Sequence, residues 1–402
     1  MGFLEALLAL CFLIFFHELG HFCVARYFGV FVEVFSIGFG PKILTKKIGQ
    51  TKYAISAIPL GGYVKLKGQD DLDPLKKDSA NDSFSTKPTY QKMLILFAGP
   101  FFNFILAFII YLIVGSMGVK TLSPKLDSPK ENSPASVAKL QKGDIILSID
   151  GKQIHSWEDI AIAIANAKET KEGDKKFVPL NFVIKRESSD SNNFKDSKIS
   201  KDSKDSKEKD LTSNDSNATQ QILELKIAPQ IALTKNMFNE EISRPIIGIT
   251  PLGEIIEQKF GGFGLVAFAF DECKKSSVMI FEGIKKLVLG VIPLGEIGGV
   301  VGIVNIMADI APSGFVAFGL LVALISINLA VLNLLPIPAL DGGQMLITLY
   351  EGLSKKPINE QVLYIITIAG WSLLLGLMLL GLYNDFSRIF PDSLQALPRI
   401  EP

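Results

Sequence analysis

The five residues His17-Glu18-Leu19-Gly20-His21 lie inside an apolar stretch that runs from Gly2 to Val30. Imidazole and carboxylate groups are costly at membrane depth, so a stretch long enough to cross a bilayer holds three of them only for a purpose. Residues four apart share one face of a helix, and two histidines so placed can bind a single metal ion. Glu18 then stands beside the metal, positioned to take a proton from its bound water. The stretch carries Glu5, lacks a basic start and shows no small-residue cleavage site, so it reads as a retained span rather than a signal peptide.

Three further stretches have the roughly 20 apolar residues that a bilayer demands: Met93 to Val119, Phe315 to Leu335 and Val362 to Tyr383. The 402 residues include 41 basic and 41 acidic side chains, a balance that gives no reason to expect a nucleic-acid partner. Three cysteines at unrelated positions supply no disulfide framework. Ten lysines between Pro41 and Lys92, and Lys355 with Lys356 before the fourth span, place those loops in the cytoplasm. Both termini, and the region from Lys120 to about Ser313, then fall on the other side.

A catalytic zinc takes three protein ligands and keeps one position for water. The only other histidine, His155, follows a soluble-looking stretch. Cys11 and Cys23 miss the helical face of the motif, and Cys273 lies outside any long apolar run. A carboxylate elsewhere near the membrane is the better candidate. The third span continues as Asn328-Leu-Ala-Val-Leu-Asn333-Leu-Leu-Pro336-Ile-Pro338-Ala-Leu-Asp341-Gly342-Gly343. Pro336 and Pro338 stop the helix, which puts Asp341 on irregular backbone at membrane depth. Two asparagines in an apolar span also call for partners. The ligand reading of Asp341 is favoured over the alternative, an Asp that caps the following helix.

The metal motif on the first span and the Asn-Leu-x-x-x-Asn-x-x-Pro-x-Pro-x-Leu-Asp-Gly-Gly run on a late one together resemble the site-2 protease family of intramembrane metalloproteases. Ala25-Arg-Tyr-Phe-Gly-Val, Phe35-Ser-Ile-Gly-Phe-Gly-Pro41 and Ala98-Gly-Pro-Phe-Phe-Asn103-Phe-Ile-Leu-Ala107 are similar to segments of its bacterial, PDZ-bearing branch. The resemblance implies that His17, His21 and Asp341 bind zinc, that Glu18 is the catalytic base, and that Asn328, Asn333, Pro336 and Pro338 contact substrate. It further implies single-span membrane proteins as substrates, such as anti-sigma factors or remnant signal peptides. A bacterial inner-membrane location, membrane lipid as a partner and a monomeric state belong to the same expectation.

The middle of the chain turns at Lys142-Gly143-Asp144, runs into an apolar strand and turns again at Asp150-Gly151. Trp157 to Lys168 follows as a short helix, and strands are expected from Phe177 to Lys185 and from Ile222 to Ile227. This is similar to a PDZ domain, which either binds an extended peptide or restricts access by bulk. Residues 186–221, rich in Ser, Asp, Lys and Asn, are expected to form a disordered insert. Tyr53 to Lys67 alternates around Pro59-Leu-Gly-Gly62 and predicts a β-hairpin, which the resemblance makes a membrane-dipping loop. Phe260 to Ile292 predicts an interfacial helix.

The expected architecture is a polytopic α-helical membrane protein with four transmembrane helices, a membrane-associated β-hairpin loop and an inserted α+β PDZ domain. Residues 1–119 and 315–402 form its membrane parts, 120–230 the PDZ-like domain, and 231–314 a linker with interfacial helices. The rival readings are a membrane metal transporter and a catalytically silent PDZ scaffold.

Overall fold

The computed structural model describes residues 2–69, 78–168, 177–187, 220–236 and 240–390. Most of the expected insert, residues 188–219, lies outside them. The chain forms two compact units, one of residues 1–118 with 259–402 and one of Val119–Gln258.

Helix α1 spans Gly2–Tyr27 and carries the metal motif in its second half. It stops where Gly29 takes φ +68° and Val30 N–H turns back to the Ala25 carbonyl at 2.8 Å, a left-handed stop that favours glycine. Two long strands follow, β1 (Val32–Ile48) and β2 (Thr51–Leu66). Each bends midway, so the pair makes four adjacent segments. Residues 32–39 lie in the middle, paired on one side with 52–58 and on the other with 62–66, while 42–48 pairs with the far side of 51–56. The hairpin expected between 51–58 and 63–67 is therefore not formed. Segment 32–39 separates its two arms, because Pro59 to Gly62 bridges across a strand instead of turning tightly.

Helix α2 (Thr89–Met117) packs along α1. The approach is close: a Cβ on Gly20 would strike the Ala98 carbonyl, and one on Gly99 would strike the His21 ring. Bulkier residues there would hold the two helices apart.

The second unit is α+β. A four-stranded sheet has the order β5–β4–β6–β7, with β4 Ile145–Ile149, β5 Lys152–Gln153, β6 Leu180–Glu187 and β7 Gln220–Ile227. Two further antiparallel pairs join β3 (Val119–Leu122) to β10 (Ile255–Gln258), and β8 (Gln230–Lys235) to β9 (Glu241–Ile246). One turn of helix, α3, covers Pro134–Val137, and α4 covers Trp157–Ala165, opened by a Ser156–Asp159 capping box. Leu126, Ile146, Phe182, Ile184, Ile227 and Ile247 form its core. The expected boundary at residue 230 falls short, since β9 packs on α4 and β10 closes back on β3.

In the first unit, α5 (Gly262–Val288) packs on α2 and α7 (Phe315–Asn333), with Ser276 and Tyr111 joined at 3.0 Å. Helix α6 (Val300–Ile310) packs on α1. Its first amides are met by Asp385 of α9 (Glu360–Ile389), which accepts from Gly299 N–H at 3.0 Å and Gly302 N–H at 2.8 Å. A carboxylate at a helix N-terminus satisfies orphan donors and suits the dipole. Between them, α8 covers Asp341–Ser354. Among the described residues four helices are long and apolar enough to cross a membrane: α1, α2, α7 and α9.

Candidate metal centre

Helix α1 places His17 and His21 on one face, and both imidazoles are buried against α2. Their orientation is set from α2. His21 Nδ1 lies 2.8 Å from the Ile95 carbonyl, and His17 Nδ1 lies 3.4 Å from the Asn103 amide. Both Nε2 atoms are left facing inward, 3.2 Å apart. A ring nitrogen tied to a second partner is how proteins aim the other nitrogen at a metal.

Asp341 reaches the same point from the far end of the chain. Backbone from Leu334 to Leu340 is irregular, as the two prolines require, but Asp341 itself is the first residue of α8 rather than part of that loop. It is not the helix cap either, since Leu340 holds that position. The loop is pressed onto α8 at Gly342 and Gly343, where a Cβ would overlap the Leu334 and Ile337 carbonyls. Asp341 Oδ2 lies 3.2 Å from His17 Nε2 and Oδ1 lies 3.5 Å from His21 Nε2.

Three donors at 2.0–2.2 Å from a tetrahedral zinc stand about 3.3 Å from one another. The two Nε2 atoms stand 3.2 Å apart, and each has one oxygen of the Asp341 carboxylate at 3.2 or 3.5 Å, close to that spacing; with one donor atom taken from each residue, all three lie within 4.8 Å of one another. No other group of three or more His, Cys, Asp or Glu side chains among the described residues offers such a set. Two imidazoles and a carboxylate are a donor set that zinc accepts.

Glu18 lies next to the two histidines in the chain and faces the sheet. Its Oε2 accepts a 3.1 Å hydrogen bond from Val64 N–H in segment 62–66. Asn333, at the end of α7, brings Nδ2 to 3.3 Å from His17 Nε2. Asn328 is not brought to the cluster. It lies five positions before Asn333, which turns it about 140° around α7, and no hydrogen bond joins it to His17, His21 or Asp341 among the described residues. Pro336 and Pro338 line the approach loop, with the Pro338 carbonyl accepting from Gln344 Nε2 at 3.0 Å.

Two positions at this centre carry no assignment from the sequence. Asn103 touches His17, and its backbone carbonyl accepts from Ser326 Oγ at 2.8 Å. Gly99 makes room for both imidazoles. Both belong to the Ala98-to-Ala107 segment, where an Asn in an uncharged span and a Gly-Pro pair mid-helix were the available signals.

The model of peptidase family M50 matches residues 5–377, a range that includes every residue of the centre. The chain belongs to peptidase family M50. The resemblance to site-2 proteases is thereby borne out. The chain is 38% identical over 390 residues to a Campylobacter jejuni protein named "Putative zinc metalloprotease", covering 97% of this chain and 94% of that one. A Helicobacter pylori protein of the same name is 37% identical over 395 residues, covering 96% and 99%. The regulator of sigma-W protease RasP of Bacillus subtilis is 28% identical over 455 residues, covering 94% and 96%.

Proposed function

We propose that the chain is an intramembrane zinc endopeptidase that cuts the spans of single-span membrane proteins. The observation that carries this reading is the triangle of His17, His21 and Asp341, with separations of 3.2 to 3.5 Å inside helices of membrane length. A zinc ion held there would polarise the scissile carbonyl and make its water a nucleophile near neutral pH.

The chain supplies the rest. Glu18 takes the proton from the attacking water and passes it to the leaving amine. Its bond from Val64 N–H holds the carboxylate toward the sheet and beside the metal ligands. Asn333 offers amide donors at the rim, in reach of a substrate carbonyl. Asn328, Pro336 and Pro338 would meet substrate farther from the scissile bond. A helix hides its amides in its own hydrogen bonds, so the substrate must unwind first. Segment 62–66 is an edge of the sheet next to Glu18 and suits an added extended strand.

The Val119–Gln258 unit reads as a PDZ-like domain. A groove of about 280 Å³ runs between α4 and residues 244–249, and the buried Thr234 hydroxyl that lines it has no hydrogen-bond partner. That supports capture of an extended peptide over simple bulk. The lysine-rich loops orient the chain with this unit and both termini outside the cytoplasm of a bacterial inner membrane.

The test compares wild type with Glu18→Gln, each co-expressed with a tagged single-span substrate. Cleavage should fall by about 10²–10⁴-fold in the variant, with equal zinc in both purified proteins. Zinc in both without cleavage of any span in a panel would overturn the reading in favour of a transporter or scaffold.

A further inference from the structure

Helix α7 meets α2 through a stripe of small residues. Gly319, Ala323, Ser326 and Ala330 recur at steps of four, three and four, the spacing of one helical face, and all of them are buried. On the α2 side, a Cβ added to Gly319 would stand 2.9 Å from Val114, and Ala323 shares a buried cluster with Ala107. Ser326 Oγ donates to the backbone carbonyl of Asn103 at 2.8 Å. The order of these contacts makes the two helices antiparallel. Small side chains let helices approach closely, but they offer no tall ridge to fit a single groove, so they fix the axial position of α7 loosely. Ser326 is the only polar member of the stripe.

A helical serine commonly returns its hydroxyl to the carbonyl four residues back in its own helix. Ser326 gives it to another helix, and both Ser326 and Asn103 are fully buried. The acceptor matters as much as the donor. It is the carbonyl of the residue whose side chain lies 3.4 Å from His17 Nδ1. Asn333 stands seven residues beyond Ser326, about 20° short of two full turns and about 10 Å along the axis, so it continues the same face. As the last residue of α7 it brings Nδ2 to 3.3 Å from His17 Nε2. A helix moves as a rod over so short a span, and any slip of α7 along α2 therefore carries Asn333 past His17 by the same distance.

We propose that Ser326 is a positioning residue for the cleavage reaction. Its bond to the Asn103 carbonyl sets where α7 rests on α2, and so holds the Asn333 amide at His17, within reach of the substrate carbonyl. The inference rests on the reading of Asn333 as a donor to that carbonyl. Ser326 acts through Asn333, from two turns away.

The experiment compares wild type, Ser326→Ala, Asn333→Ala and the double variant, each as the purified full chain acting on a tagged single-span substrate. Hydrogen bonds between membrane helices contribute modestly to stability, so Ser326→Ala should fold and bind zinc as wild type does. Small misplacements of a positioning group are costly to rate, and kcat should fall about tenfold with KM unchanged. In the Asn333→Ala background the same change should cost nothing further, because the group it places is gone. Cobalt in place of zinc gives a readout that needs no substrate. Its visible bands respond to groups beside the ligands and should move the same way in Ser326→Ala and Asn333→Ala. Wild-type kcat in Ser326→Ala would overturn the proposal. So would an equal loss in both backgrounds, a loss that follows bound zinc, or bands moved by Asn333→Ala alone. Bands that move together in a chain that cleaves no span would uphold the placement of Asn333 by Ser326 and overturn the peptidase reading alone.

Discussion

The side-chain amide nitrogen of Asn103 lies 3.4 Å from His17 Nδ1, and the buried amide oxygen of Asn103 has no hydrogen-bond partner. Once Nε2 is given to a metal, Nδ1 must carry the ring proton, and two donors would face each other. Turning the amide places its oxygen opposite Nδ1–H and provides that oxygen with a partner. Asn103 is therefore a positioning residue for His17. Asn103→Leu should lower zinc affinity about 10–100-fold, and Asn103→Asp, which keeps the acceptor, should recover most of it. Chelator competition on the purified proteins reads this directly; equal affinity in Asn103→Leu would refute it.

Gly99→Ala separates helix propensity from site geometry. Alanine favours a helix over glycine by about 1 kcal/mol, so α2 alone would gain. The added methyl, however, would overlap His21 Nε2 and stand 2.8 Å from His17 Cε1. The expected outcome is loss of zinc and of cleavage. A variant that bound zinc normally would show that the imidazoles have room to move.

Val64→Pro removes the N–H that binds Glu18 while leaving the metal ligands untouched. Proline is tolerated on edge strands where the missing N–H is not part of the ladder. Losing a hydrogen bond to a charged group should reduce kcat about 10–100-fold, with zinc content near wild type. Because segment 62–66 is also the proposed substrate edge, a rise in KM with kcat unchanged would show that Val64 acts on substrate alone and not through Glu18.

In the second unit, Asp144 is 1% exposed and is held by Arg186 through two contacts of 2.7 Å. Arg186→Ala leaves that carboxylate buried without its counter-charge and should destabilise the unit by about 3 kcal/mol. Arg186→Met with Asp144→Leu should restore much of the loss. Pulse proteolysis of the full chain distinguishes the two, and equal resistance of wild type and Arg186→Ala would rule the effect out.

Local pattern made a large part of this protein legible. The four spans follow from apolar length alone, and α1, α2, α7 and α9 begin or end within about five residues of the stretches that announce them. His17, Glu18 and His21 were readable because four-residue spacing is a property of one helix. Asp341 was reached by exclusion and by the prolines before it, and the structure corrects its setting from loop to first helical residue.

The sequence by itself determined which segments are long and apolar enough to cross a membrane and which side chains can hold a metal, since periodicity and hydropathy act over a single turn or span. Tertiary structure decided everything that depends on two segments meeting. It set the 3.2 Å approach of residues 17 and 341 and the role of Asn103. It also placed strand 32–39 between the arms of an expected hairpin. Strand order and side-chain contact over hundreds of residues are set by packing, and packing has no local period to read.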